Sequence, residues 1–193
     1  MTTVYFVRHA ESDSSIRNAM TRPLTPKGLQ DRKKIIDFLE GQHIDAVLSS
    51  PYQRAVDTVI PLAEQNGLSV QTIDEFREHE TALDALSDED YFREIQRYWT
   101  DLSYKIGSDE SLAQVQSRNI HALEHFLAKY SGKAIAIGTH GMALSTIIHY
   151  YDPLFGYKEF VSIAKIKPWL VRMTFQGKQC LCVEPIDLFH PDR

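Results

Sequence analysis

Short apolar runs alternate with longer stretches of helical periodicity along most of this chain, and this alternation constrains the fold more than any other feature. Three of the runs are uninterrupted and rich in branched side chains: Val4–Val7, Ala46–Leu48 and Ala134–Ile137. Strands that alternate with helices form parallel sheets covered on both faces. We therefore predict a single α/β domain over residues 1–193, a three-layer sandwich with a mostly parallel central sheet and a small helical cap inserted at about 81–110.

Capping residues and turns set the expected bounds of the elements. Thr25-Pro26 and Ser50-Pro51 each place a capping side chain before a proline at the start of a helix. We expect Pro61 to kink or interrupt the second of these helices. The predicted helices are 26–40, 51–66, 90–102, 109–130 and 142–151, and the further predicted strands are 69–73, 160–164, 169–175 and 180–183, the last two joined as a hairpin.

The charge balance argues against a nucleic-acid partner. The 193 residues include 21 Lys and Arg against 26 Asp and Glu, a net charge of −5, whereas nucleic-acid binding usually needs a basic face. The acidic excess is concentrated between Asp74 and Glu94, so the rest of the chain is slightly basic.

The N-terminal residues, the longest uncharged stretch and the two cysteines indicate the compartment in which we expect the protein. The first eight residues lack the basic start and the long apolar stretch of a signal peptide. Residues 134–151 carry no charged side chain but contain too many polar ones to span a bilayer. Cys180 and Cys182, two apart on a predicted strand, are expected to be buried thiols that form no relaxed disulfide. We expect a cytoplasmic protein without a membrane partner, and the sequence leaves its oligomeric state open, a homodimer included.

Chemistry-bearing side chains follow four of the predicted strands, at the carboxyl ends where ligands bind in such sheets. They are Arg8 and His9, then Arg54, then Glu78, and finally His140. Arginine forks match phosphate oxygens, a neutral imidazole can attack phosphorus, and a carboxylic acid can protonate a leaving oxygen. This set suits phosphoryl transfer with no metal and no cofactor, because the positive charge is built into the protein.

Five motifs, in order over residues 4 to about 150, resemble the histidine phosphatase superfamily, which includes the cofactor-dependent phosphoglycerate mutases. They are Arg8-His9-Ala10-Glu11-Ser12, Leu24-Thr25-Pro26-Lys27-Gly28, Ser49-Ser50-Pro51-Tyr52-Gln53-Arg54-Ala55, Phe76-Arg77-Glu78 and Thr139-His140-Gly141. The resemblance implies that His9 accepts the phosphoryl group. It also implies that Arg8, Arg54 and His140 form the phosphate pocket and that Glu78 donates the proton.

The proton donor has a rival two residues away. Glu78 and Glu80 lie on one face of an extended chain, so either carboxyl group could serve. The position within the motif favours Glu78.

The loop after His9 supplies further candidates for substrate binding. Arg17 and Arg22 could contact an anionic substrate, and we include Ser15, Arg22 and Gly141 in the predicted substrate site. The asparagine expected a few residues after the histidine in a mutase is displaced here to Asn18, which weakens a specific mutase assignment.

The predicted function is hydrolysis of a small phosphorylated metabolite through a phosphohistidine intermediate, without a metal. A phosphoglycerate-type phosphomutase is the alternative within the class, and the short chain disfavours it because little is left to build a deep lid. The alternative from another class is a non-catalytic protein that binds a phosphorylated ligand.

A second motif, His121-Ala122-Leu123-Glu124-His125, matches the H-x-x-E-H pattern of some zinc proteases. At about 100° per residue, both histidines fall on the side of the helix opposite to Leu123 and the apolar stripe. We therefore expect His121 and His125 to face solvent and to bind no metal.

Overall fold

In the computed structural model, which describes residues 1–81 and 87–190, six strands form one sheet. The strands are β1 (Thr2–Arg8), β2 (Ala46–Ser49), β3 (Val70–Thr72), β4 (Ala134–Thr139), β5 (Trp169–Gln176) and β6 (Gln179–Ile186). Their order across the sheet is β3-β2-β4-β1-β5-β6. The first four strands run parallel to one another, and β5 and β6 add an antiparallel hairpin at one side. The predicted mostly parallel sheet is confirmed.

Helices cover both faces of this sheet. They are α1 (Pro26–Asp31), α2 (Lys33–Leu39), α3 (Gln53–Gln65), α4 (Asp88–Thr100), α5 (Leu112–Lys129), α6 (Gly141–Tyr151) and α7 (Tyr157–Ile163). Alternate residues of β1 divide between the two layers: Val4 and Phe6 pack with α4 to α7, and Tyr5 and Val7 pack with α2 and α3. The sandwich therefore has two separate apolar cores, one on each side of the sheet.

The register brings the carboxyl ends of the parallel strands to one edge. Arg8 of β1 pairs with Thr139 of β4, and Ser49 of β2 pairs with Gly138. The pairing continues past the strand ends, since the amide of His9 donates to the carbonyl of Thr139 at 3.0 Å. The residues that follow β1, β2 and β4 consequently meet above this edge.

The predicted helix over 26–40 is two helices that meet at Arg32. The first lies against the loop after β1, because Gly28 lets the backbones approach closely: a Cβ there would lie 2.1 Å from the carbonyl oxygen of Glu11. The second turns to bury Ile35 and Leu39 in the core.

Helix α3 continues through Pro61, so of the predicted kink or interruption at that residue the interruption does not occur. Proline leaves the carbonyl four residues earlier, that of Asp57, without its helical donor. The guanidinium group of Arg32 donates to this carbonyl and replaces the missing hydrogen bond.

The predicted strand at 160–164 is also wrong, because these residues belong to α7. Phe160 and Ile163 are buried while Val161 and Ser162 between them are exposed, which is helical rather than strand periodicity. The expected burial of the two thiols fails as well: Cys180 is partly buried and Cys182 is exposed, because β6 is an edge strand.

The predicted cap at 81–110 contains α4, whose N-cap Ser87 accepts a hydrogen bond from the amide of Asp90. Ile95 and Tyr98 of this helix are buried in the same core as α5 and α6. Residues 82–86 of the predicted cap lie outside the described residues.

Candidate active site

His9 lies at the end of β1 with its ring buried. Its Nδ1 is 2.7 Å from the carbonyl oxygen of Ala10, and a carbonyl only accepts, so Nδ1 carries the proton. The other nitrogen, Nε2, keeps its lone pair and accepts a hydrogen bond from Nε of Arg54 at 3.1 Å. Burial and the charges of Arg54 and Arg8 lower the pKa of His9 well below its ordinary value. The result is a neutral imidazole whose Nε2 is available as a nucleophile.

His140 lies directly beside His9, fully buried at the start of α6. The two ring centroids are 5.3 Å apart in an edge-to-face arrangement. Its Nε2 is hydrogen-bonded to Oγ of Ser50 at 2.7 Å, and its Nδ1 has no partner among residues 1–81 and 87–190. Burial, followed by the charge of Arg54, lowers the pKa of His140 well below its ordinary value. The prediction that Ser50 caps the following helix is wrong, because α3 begins later, with Tyr52 as its N-cap and no side-chain cap. The Ser50 hydroxyl instead helps to orient this imidazole.

Arg8 is held by backbone carbonyls at the end of α7. Its Nη1 donates to the carbonyl of Ile163 at 2.7 Å, and its Nη2 donates to that of Ala164 at 3.0 Å. Burial lowers the pKa of Arg8 to about 10. Gly141 packs on the guanidinium plane, since a Cβ there would lie 3.1 Å from Nη2. The end of α7 and the loop after it thus fix a cation beside His9.

Arg54 reaches the same place from the first turn of α3. Its Nη1 donates to the carbonyl of Ala19 at 2.6 Å, and its guanidinium group lies over the ring of Tyr52 at 5.0 Å. With its Nε on His9, this side chain connects the His9 imidazole to the loop that follows β1.

Glu78 and Glu80 point in different directions. The carboxylate of Glu78 accepts hydrogen bonds from the amides of Met142 at 3.2 Å and Ala143 at 2.9 Å, at the beginning of α6. These two amides hold the Glu78 carboxyl group at the start of the helix. Glu80 is exposed; its carboxylate lies 3.3 Å from Nε of Arg77 and accepts a hydrogen bond from the hydroxyl of Tyr52 at 3.3 Å, and it lines the same cavity as Glu78. The structure therefore places Glu78, rather than Glu80, on the helix that begins at His140.

These side chains surround one cavity of about 540 Å³. Six of the predicted site residues line it: Arg8, His9, Arg22, Arg54, Glu78 and Gly141. His140 lies buried behind His9 and does not line the cavity surface. Ser15 is not brought to the cavity. Its hydroxyl donates to the carboxylate of Asp13 at 2.7 Å in an exposed turn, and Asn18 lines the cavity instead.

Lys167 is a cavity residue that sequence reasoning missed. It is partly buried in the wall, and its amine has no hydrogen-bond or ion-pair partner within the described part of the chain. Burial, together with the charges of Arg8 and Arg54, lowers the pKa of Lys167. No local motif marks this residue, because only the packing of the loop between α7 and β5 brings it to the site.

The rival zinc motif lies elsewhere. His121 and His125 are both exposed on α5, which confirms that they face solvent. Over residues 1–81 and 87–190, no group of three His, Cys, Asp or Glu side chains is placed to hold a metal ion. None of the helices in these ranges combines the length and the apolar character needed to cross a membrane.

Solved structures share this fold. A phosphoserine phosphatase from Entamoeba histolytica, in complex with 3-phosphoglyceric acid, superposes with a TM-score of 0.77 at 17% identity over 97% of this chain and 99% of that one. YhfR from Bacillus stearothermophilus gives 0.74 at 22% identity over 93% and 94% of the two chains.

Sequence comparison agrees with the structural one. Phosphoserine phosphatase 1 from Hydrogenobacter thermophilus is 27% identical over 150 residues, 72% of this chain and 71% of that protein. The probable phosphoglycerate mutase GpmB from Yersinia pestis (strain Pestoides F) is 26% identical over 159 residues, 77% and 74% of the two chains. The model of the histidine phosphatase superfamily, branch 1, matches residues 4–165. With most of its length matched by that model, the chain belongs to the histidine phosphatase superfamily and is a phosphatase of the phosphoglycerate mutase-like type.

Proposed function

We propose that this protein hydrolyses small phosphomonoesters through a covalent phosphohistidine on Nε2 of His9. The observation that carries the proposal is the hydrogen bond from Nδ1 of His9 to the carbonyl of Ala10, because it fixes the tautomer with a free lone pair on Nε2. That lone pair points at Nε of Arg54, a donor that an incoming phosphoryl oxygen can take over.

In the first step, Nε2 attacks phosphorus and forms an N–P bond while the P–O ester bond breaks. The electron pair of that bond stays on the leaving oxygen, which takes a proton from the carboxyl group of Glu78. Arg8 and Arg54 stabilise the charge that spreads over the phosphoryl oxygens, and His140, whose ring lies edge-to-face with that of His9, flanks the nucleophile.

In the second step, the oxygen of a water molecule attacks phosphorus and the N–P bond breaks, which returns the electron pair to Nε2 of His9. The carboxylate of Glu78 takes the proton of this water. Inorganic phosphate then leaves, and both side chains regain their starting protonation states.

The cavity supports a small substrate. Its volume of about 540 Å³ suits a metabolite rather than a protein segment. Tyr91 and Ile95 of α4 line it, so we propose α4 as the helical part of a cap over the bound substrate. The similarity to phosphoserine phosphatases supports a small phosphorylated substrate of comparable size.

The test is a comparison of the wild-type protein with His9→Ala on phosphoserine and 3-phosphoglycerate. We expect the wild type to release phosphate and to yield an acid-labile phosphohistidine on rapid quenching, and His9→Ala to do neither. His121→Ala, at an exposed position on α5, is the control and should match the wild type. Full turnover by His9→Ala would overturn the proposal, and isomerisation of 3-phosphoglycerate without phosphate release would make the protein a mutase.

A further inference from the structure

The proposed proton donor lies on a segment with no strand or helix of its own. After a short 3-10 turn at Asp74–Phe76, residues 77–81 have no regular secondary structure. No ladder of backbone hydrogen bonds therefore fixes the position of Glu78 relative to His9, and other contacts have to hold this backbone.

Arg118 supplies those contacts from α5. Its Nη1 donates to the carbonyls of Glu75 at 2.6 Å and Arg77 at 2.8 Å, and its Nη2 donates to the carbonyl of Glu78 at 2.9 Å. The side chain is only 12% exposed. One guanidinium group thus donates hydrogen bonds to three backbone carbonyls of this segment, and one of these carbonyls belongs to Glu78, the proposed proton donor.

Glu110 in turn holds the guanidinium group of Arg118. Its carboxylate accepts from Nε of Arg118 at 2.9 Å and from Nη2 at 2.8 Å, so all five N–H groups of Arg118 are used. The same carboxylate accepts from the amide of Glu80 at 3.3 Å, and the Glu110 carbonyl accepts from Nε2 of His79 at 2.8 Å. Although burial opposes the charge of Glu110, the hydrogen bond from Arg118 holds the pKa of this carboxyl group below its ordinary value.

The two ends of Glu78 are therefore held independently. Arg118 fixes its backbone carbonyl, and the amides at the start of α6 fix its carboxylate. A shift of the backbone would change the reach of the side chain across the cavity, and proton transfer is sensitive to such a shift because donor and acceptor must be within hydrogen-bond distance.

We propose that Arg118 is a positioning residue that sets the reach of Glu78 toward the leaving oxygen. This inference rests on the proposed function, in which Glu78 is the proton donor. It assigns to a residue on α5, outside every motif of the sequence, control over the position of the carboxyl group that first donates and later takes the proton.

Substrates with different leaving groups provide the test. Glycerol 2-phosphate releases an alkoxide that needs a proton, whereas 4-nitrophenyl phosphate releases a phenolate that does not. The ratio kcat/KM reports the steps up to formation of the phosphohistidine and excludes the later attack of water, in which Glu78 acts as base whatever the substrate. For Arg118→Lys, we expect kcat/KM on glycerol 2-phosphate to fall about 10- to 100-fold, with a change below about threefold on 4-nitrophenyl phosphate. Glu110→Gln, which keeps Arg118 but weakens its anchor, should show the same selectivity with a smaller loss.

Two further variants make the result interpretable. Glu78→Gln should reproduce the leaving-group selectivity and sets its upper limit. Arg172→Lys is the matched control, because Arg172 pairs with Glu184 on β6 away from the cavity, and it should leave both rates unchanged. Retained turnover of 4-nitrophenyl phosphate shows that a variant is folded, and Glu110→Gln serves alone if Arg118→Lys does not fold.

An equal fall of kcat/KM on both substrates in the Arg118 and Glu110 variants, with selectivity seen in Glu78→Gln, would overturn the positioning role and leave the proposed function intact. Absence of selectivity in Glu78→Gln, with phosphohistidine still formed, would remove Glu78 as the donor and overturn both assignments.

Discussion

Replacing Lys167 by methionine removes a positive charge from the cavity wall and keeps a side chain of similar length. The amine has no hydrogen-bond or ion-pair partner among the described residues, so its loss orphans no protein group there. It lies near enough to Arg8 and Arg54 for their charges to lower its pKa. We therefore expect Lys167 to donate a hydrogen bond to a bound anion rather than to stabilise the fold.

A hydrogen bond to a charged group contributes about 1.5–3 kcal/mol, which corresponds to about 10- to 100-fold in affinity. We expect the inhibition constant of inorganic phosphate to rise by that factor in Lys167→Met, with the melting temperature unchanged. Lys165→Met is the control, since Lys165 is exposed on the same loop and does not line the cavity.

The pH dependence gives a second readout. Because the pKa of Lys167 is lowered, its charge is present below that pKa and disappears as pH rises through it, earlier than for an ordinary lysine. The ratio of the variant and wild-type inhibition constants cancels the ionisation of phosphate itself. This ratio should be largest near neutral pH and decline toward 1 at alkaline pH. An unchanged inhibition constant, or a ratio independent of pH up to the ordinary range of lysine, would refute the reasoning.

The glycines and one helix contact give three further predictions. Gly28→Ala places a Cβ 2.1 Å from the carbonyl oxygen of Glu11, and we expect a loss of about 1–3 kcal/mol in unfolding free energy by urea titration; wild-type stability would contradict this. Gly141→Ala should push the guanidinium group of Arg8 away from the cavity and raise the inhibition constant of phosphate about tenfold or more, and a value equal to that of the wild type would show that Arg8 does not bind the phosphoryl group. Arg32→Met leaves the Asp57 carbonyl, four residues before the proline of α3, without a donor. The unfolding free energy should fall by about 1 kcal/mol, with activity retained; an unchanged melting temperature would count against this.

Much of the active-site edge could be predicted from local sequence patterns. Apolar runs of strand length end immediately before Arg8-His9 and shortly before His140. Ser50-Pro51 precedes the helix that carries Arg54, although that helix begins at Gln53 with Tyr52 as its N-cap and no side-chain cap. Because parallel strands deliver their carboxyl ends to one edge, the order of elements was enough to bring these side chains together. The same local reasoning failed at 160–164, because a short apolar run fits both the two-residue period of a strand and the 3.6-residue period of a helix.

The placement of several site side chains was decided only by the tertiary structure, because it depends on contacts between residues far apart in the chain. Arg8 is held by carbonyls 155 to 158 residues away, and Arg118 reaches the carbonyl of Glu78 across 40 residues. Lys167 enters the cavity only because its loop packs there. The sequence by itself determined most of the elements and the chemistry at the ends of the parallel strands, since strand and helix periodicities, caps and turns act over a few residues. The orientation of each donor and acceptor came from the folded chain, because buried polar groups must find their hydrogen-bond partners wherever the fold brings them.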